Sequence, residues 1–139
     1  MKAFYWALLT ALVWGMVPLL EKIGLGKTTV LTGMVLRCAG VLLGLIFLMV
    51  FKLDAVKSAF SVRPQTAVCI IAGGLLASVI GQIFFYKALK LGDVSRVVPV
   101  AAAYPLVSFV LALIFLSEKL TMAKVSGVVL VCMGIVLLK

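Results

Sequence analysis

Five long apolar runs, separated by short polar stretches, account for almost the whole chain. They extend from about Phe4 to Leu25, Val30 to Phe51, Thr66 to Leu89, Val94 to Ser117 and Met122 to Leu138. A helix crosses the hydrocarbon core of a bilayer with about 20 mainly apolar residues, within a range of roughly 17–25. Each run meets that requirement, so the pattern predicts an all-α membrane protein of five transmembrane helices. Glu21 and Lys22 fall near the end of the first run, and Arg37 alone interrupts the second. The longest connection is Lys52–Gln65, marked by Asp54, Lys57, Arg63 and Pro64. The linkers Gly24–Lys27, Leu91–Asp93 and Ser117–Thr121 are short, so the helices they join are predicted as antiparallel neighbours. The N-terminal run continues to Leu20 without a small-x-small cleavage site ahead of a polar segment. It reads as a first retained span rather than a signal peptide.

Composition says what covers these helices. Of the 139 residues, 65% are hydrophobic and 12% charged, whereas soluble domains run near half and a quarter. A chain this short cannot hide that much apolar surface around a water-facing core, so lipid must cover it. The net charge of +9 would suit a nucleic-acid partner, but the thirteen basic residues are scattered between apolar runs with no continuous stripe. They read as anchors at lipid headgroups, and no nucleic acid is expected. Cys38, Cys69 and Cys132 lie inside apolar runs and read as packing residues. With no histidine and no ligand-spaced cysteines, no metal or other cofactor is expected. No span carries a nucleophile with a base in reach, so an enzyme is not expected either.

Five spans place the termini on opposite sides of the membrane. One side then carries Lys2, Lys52, Lys57, Arg63, Lys119 and Lys124, and the other Lys22, Lys27, Lys87, Lys90, Arg96 and Lys139. Orientation follows Lys/Arg bias, and here there is none. Balance of this kind fits a protein that inserts both ways; chance, or a paralogous partner supplying the opposite orientation, is the alternative.

Residues three or four apart share a helix face, and the polar and small residues inside the spans fall into such stripes. They are Thr10, Trp14, Pro18 and Glu21; Gly33, Arg37, Gly40 and Gly44; Gly74, Ser78, Gln82 and Tyr86; and Ala101, Tyr104 and Ser108 beyond Pro99. The rest is largely aliphatic and suits lipid, so the stripes suggest a shared polar cavity. Gly40–Gly44 and the series Gly73, Ala77, Gly81 read first as close-packing surfaces, and Pro18 and Pro99 as kinks. Arg37 lies about 12 Å into its span at 1.5 Å per residue. A charge at that depth costs on the order of 2.5–3.5 kcal/mol unless it snorkels or pairs, and Glu21 in the adjoining helix is the nearest carboxylate. The pair is either structural or a solute or proton site, and the two roles are compatible. Gly127 and Gly134, seven apart in the fifth run, suggest a contact between two copies.

Several of these residues also form a familiar pattern: Trp14-Gly15, Lys22, Arg37, Tyr86-Lys87-Ala88-Leu89, Ser95-Arg96-Val97-Val98-Pro99, Ser117-Glu118-Lys119-Leu120-Thr121, Gly127 and Gly134. In order and spacing they resemble the EamA-type domain of the drug/metabolite transporter superfamily, over nearly the whole of residues 1–139. The resemblance implies a single five-helix domain that is one inverted-repeat half of a ten-helix transporter, completed by a second, inverted copy. It implies a multi-pass protein of the cell (inner) membrane that moves a small solute by alternating access as an antiparallel homodimer or with a paralogous partner. The small multidrug resistance proteins are relatives of the same kind, but this sequence has a fifth span and no glutamate in the middle of its first. The solute-contacting residues expected on this reading are Arg37, Glu21, Trp14, Gln82, Tyr86 and Tyr104. Two rival readings remain: a flippase for a lipid-linked headgroup, and a non-transporting assembly or regulatory subunit.

Overall fold

The computed structural model describes residues 2–117 and 119–137, with side chains from Phe4 onward. The expectations resting on Glu118, Leu138, Lys139 and the side chain of Lys2 lie outside the described residues. The elements are α1 (Lys2–Leu25), α2 (Val30–Phe51), α3 (Leu53–Ala59), α4 (Pro64–Leu75), a π-helical turn (Leu76–Gly81), α5 (Gln82–Leu91), α6 (Val94–Ala101), α7 (Tyr104–Phe115) and α8 (Met122–Leu137). No strand occurs among the described residues. Among the described residues, four stretches are long and apolar enough to cross a membrane: Phe4–Leu25, Val30–Phe51, Pro64–Leu91 and Val94–Phe115. The described part of α8 has 16 residues, or about 24 Å at 1.5 Å per residue, somewhat short of a hydrocarbon core of about 30 Å. The architecture is that of a multi-pass membrane protein of about five helices.

The helices group into two compact units, one ending at Lys90 and one beginning at Leu91. In the first, α1 and α2 form a hairpin. Gly26 N–H and Lys27 N–H bond back to Lys22 O and Gly24 O, which ends α1. Thr29 then starts α2 as its N-cap, with Oγ1 accepting from Thr32 N–H at 3.1 Å. Contacts with α5 lie at this same end of the hairpin. Pro18, Leu25, Met34, Tyr86 and Leu89 are the buried apolar side chains among the described residues, with Leu89 at 0% exposure. Lipid tails are as apolar as leucine, so burial alone does not hold helices together here; close packing and interhelical hydrogen bonds must. Gly33 permits the close packing. A Cβ at that position would stand 2.7 Å from Leu25 Cδ2 and 3.3 Å from Tyr86 Cε2.

Other small residues behave differently from the sequence expectation. Gly40, Gly44 and Gly73 have open space within 4 Å of an added Cβ, as do Gly127 and Gly134 in the second unit. Within their own unit Gly40, Gly44 and Gly73 are therefore not close-packing points, whereas Gly127 and Gly134 were expected to meet a second copy. The three cysteines, expected to be packed, are exposed, because the helix faces that carry them have no neighbour within their own unit.

The Lys52–Gln65 connection is not a plain loop. Lys52 (φ −139°, ψ 48°) breaks α2, and the short α3 follows with Asp54 in its first turn and Lys57 in its last, the signs that a helix dipole favours. Pro64 opens α4, where its missing N–H costs nothing, so the third span starts two residues before Thr66. In the second unit the fourth span is interrupted, but not at Pro99, which sits inside α6. The break is Ala102–Ala103, just ahead of Pro105. Proline removes an N–H and its ring collides with the carbonyl four residues back, here Ala101. Hydrogen bonds from Ala103 N–H to Val100 O and from Leu106 N–H to Ala103 O tighten the turn. Ser117 ends the span in the left-handed region at φ 50°.

Gly33→Ala should lower the thermal midpoint of the detergent-purified protein, at an overpacking cost of about 1–3 kcal/mol, and Gly33→Leu should lower it further. Gly40→Ala, with open space around it, should leave the midpoint of the monomer unchanged. Equal midpoints for wild type and both Gly33 variants would show that α1, α2 and α5 do not meet there.

Candidate functional site

Glu21 lies one turn before the end of α1, and two hydrogen-bond donors from α5 and the Arg37 guanidinium from α2 converge on its Oε1. The α1–α2 hairpin places Arg37 opposite, with Nε 3.5 Å from that oxygen. Gln82 and Tyr86 are one turn apart at the start of α5 and so share a face. Gln82 Nε2 and Tyr86 Oη each donate to Glu21 Oε1 at 2.9 Å. The Tyr86 ring is buried and rests against the Gly33 backbone position, which fixes where its hydroxyl points. The Glu21 side chain is 11% exposed and that of Arg37 28%. The second carboxylate oxygen, Oε2, is buried without a hydrogen-bond partner among the described residues.

Arg37 has a second attachment. Its Nη1 donates to Ser78 O at 3.2 Å, and Ser78 lies within the π-helical turn. Such turns are rare, and they are frequent at functional sites. One guanidinium therefore ties the α1 carboxylate to the irregular part of the third span. Lys22, next to Glu21, sends its ammonium to Leu89 O, near the C-terminal end of α5, where a cation is favoured.

Of the six residues expected to contact solute, the structure gathers Glu21, Arg37, Gln82 and Tyr86 into one cluster. Trp14, two turns back along α1, is 62% exposed. Tyr104 belongs to the second unit, at the start of α7, and is also exposed. Two participants were not expected: the Ser78 carbonyl and the Lys22 cap on Leu89. Glycines at 73, 74 and 81 were the only sequence signal of an irregular third span. Among the described residues no group of three or more His, Cys, Asp or Glu could hold a metal ion.

Tyr86→Phe keeps the buried ring and removes one donor from Glu21, so it should cost about 0.6–2 kcal/mol, the range for interhelical bonds in membranes. Glu21→Gln and Arg37→Ala should each lower the thermal midpoint. The double variant should lose less than the sum, with a coupling of about 0.5–3 kcal/mol. Simple additivity would mean that the 3.5 Å ion pair contributes nothing.

The model of the EamA-like transporter family matches residues 1–139. An uncharacterized protein of the archaeon Methanocaldococcus jannaschii is 32% identical over 131 residues, covering 94% of this chain and 91% of that protein. No solved structure matches the chain. With its multi-pass helical architecture and a family match over its full length, the chain belongs to the EamA-like transporter family of membrane proteins.

Proposed function

We propose that the chain is a transporter subunit that moves a small metabolite or drug-like solute across the cell (inner) membrane by alternating access, working as an inverted homodimer. One observation carries this: an intramembrane carboxylate that takes two hydrogen bonds and an ion pair on one oxygen and keeps the other buried with no hydrogen-bond partner among the described residues. Ionisable residues within spans are costly, face a bundle interior or a water-filled path, and mark solute and ion routes. A pair kept only for structure would be expected to satisfy its charges fully. Glu21, Arg37, Gln82 and Tyr86 then contact solute, and Trp14 and Tyr104 add aromatic contacts from exposed helix faces.

The dimer has separate support. Inverted repeats build transporter sites at their interface, and this chain supplies one five-helix repeat. The equal division of Lys and Arg between the two sides favours insertion both ways. Open glycine faces at Gly40, Gly44, Gly127 and Gly134 leave room for another helix to approach closely.

Two experiments test the reading. In a cysteine-free background, a cysteine added at either terminus should be labelled from both sides of the membrane in comparable amounts, and two or three extra lysines at one end should bias that ratio. Labelling from one side only would overturn the homodimer. In proteoliposomes, Arg37→Ala should reduce solute uptake at least about tenfold, equivalent to 1.4 kcal/mol, while the protein remains folded. Normal uptake by Arg37→Ala would remove the residue from the site, and movement of headgroup lipids without free solutes would establish the flippase instead.

A further inference from the structure

We infer that the cavity at the C-terminal ends of α1 and α5 binds a singly charged phosphate ester, supplied by the headgroup of an anionic phospholipid. The cavity measures about 230 Å³ and is lined by Lys22, Leu25, Gly26 and Lys90, all of the first unit. None of the residues gathered around Glu21 Oε1 lines it. The two spans that meet there, Phe4–Leu25 and Pro64–Leu91, both end at this point, which puts the cavity at headgroup depth. Basic pockets between spans at that depth take anionic headgroups. Size bounds the occupant. At about 30 Å³ for each water, the space equals roughly seven or eight waters. That is room for a phosphate and part of its glycerol, and less than the roughly 300–1,000 Å³ of pockets for drug-sized ligands.

Charge says what the occupant must carry. The ionisable residues of the lining are Lys22 and Lys90, both positive. Lys22 directs its ammonium to Leu89 O, which holds it at the wall against α5. Lys90 is exposed, and its side chain makes no ion pair or hydrogen bond among the described residues. The carboxylate beside Lys22 in sequence, Glu21, is turned instead to Arg37, Gln82 and Tyr86. Helix ends offset part of the charge. Each C-terminus carries about half a negative charge, so α1 and α5 together cancel about one of the two. About one positive charge is left, which matches the single negative charge of a phosphodiester. Lys27 in the turn after α1, and Lys87 one turn before Lys90 on α5, extend the positive potential around the cavity. An apolar strip favours a lipid as the source of the phosphate. Leu19 and Ile23, four apart on α1 and exposed, lead along one face toward Gly26. A phospholipid covers that strip with its tails while its phosphate reaches the lysines, whereas a dissolved ester leaves it bare.

The test uses the full-length protein in detergent, with bound molecules counted by native mass spectrometry. The probes are phosphatidylglycerol, net-neutral phosphatidylcholine, and glycerophosphoglycerol, which is the dissolved headgroup of the first. One phosphatidylglycerol should bind at least about tenfold more tightly than phosphatidylcholine, and Lys90→Gln should weaken it about fivefold. Lys57→Gln, on α3 and outside the cavity lining, should leave that affinity unchanged. Because the phosphate joins α1 to α5, phosphatidylglycerol should also raise the thermal midpoint of wild type more than that of Lys90→Gln. Equal phosphatidylglycerol affinity in wild type and Lys90→Gln overturns the site. An equal loss in Lys57→Gln overturns it too, since that is diffuse attraction between a basic protein and an anionic lipid. Glycerophosphoglycerol binding as tightly as phosphatidylglycerol overturns the lipid as the source. The exposed Lys90 carries the test because Lys22→Gln also removes the Leu89 O contact, and no outcome here bears on the transporter reading.

Discussion

The first helical unit depends on a single oxygen atom. Glu21 Oε1 receives Gln82, Tyr86 and Arg37 at 2.9, 2.9 and 3.5 Å, which brings three helices together through polar atoms. In water such a cluster would compete poorly with apolar burial. In lipid the balance reverses, because a leucine gains little by exchanging a lipid tail for another helix, while an unpaired guanidinium or carboxylate loses several kcal/mol. Arg37 can lie deep in its span because Glu21 and the Ser78 carbonyl receive it. The register of α5 is fixed because Gln82 and Tyr86 must both reach one atom. Gly33 is small because the Tyr86 ring has to pass.

Much of this could be read from the sequence. Apolar run length located the four long spans within about two residues at each end, since the cost of a polar group in hydrocarbon leaves little freedom there. Helical periodicity put Gln82 and Tyr86 on one face, and depth singled out Arg37 and Glu21 as a pair. What periodicity could not supply was any departure from regular helix. The π-helical turn, the break set by Pro105 rather than Pro99, and the short α3 all depend on local backbone hydrogen bonding, which a hydrophobic pattern does not record. Trp14 was grouped with Glu21 on face alone. Sharing a face brings residues together only where another helix lies against it, and the buried contacts of α1 lie at its C-terminal end.

Packing within the first unit is therefore uneven. Leu25, Met34, Tyr86 and Leu89 are buried at the turn end of the α1–α2 hairpin, the end that carries the cluster. The N-terminal half of α1 and the C-terminal half of α2 present exposed apolar side chains to their surroundings. Local stability follows buried contacts, so the end that carries the ionisable residues is the firm one and the remote halves are free to repack. On the alternating-access reading proposed above, that is a workable division: a preorganised centre and adaptable arms.

The π-helical turn has a consequence of phase. Each residue advances an α-helix by about 100°, so one extra residue accommodated within Leu76–Gly81 offsets the angular bearing of everything after it relative to everything before. The third span thus consists of two half-helices with a fixed angular offset between them, and that offset brings Gln82 and Tyr86 of α5 onto Glu21. Removing one residue from the turn would restore a regular helix of nearly the same length and hydropathy. It would also swing Gln82 and Tyr86 away from Glu21, taking the cluster apart through a change that hydrophobicity cannot register.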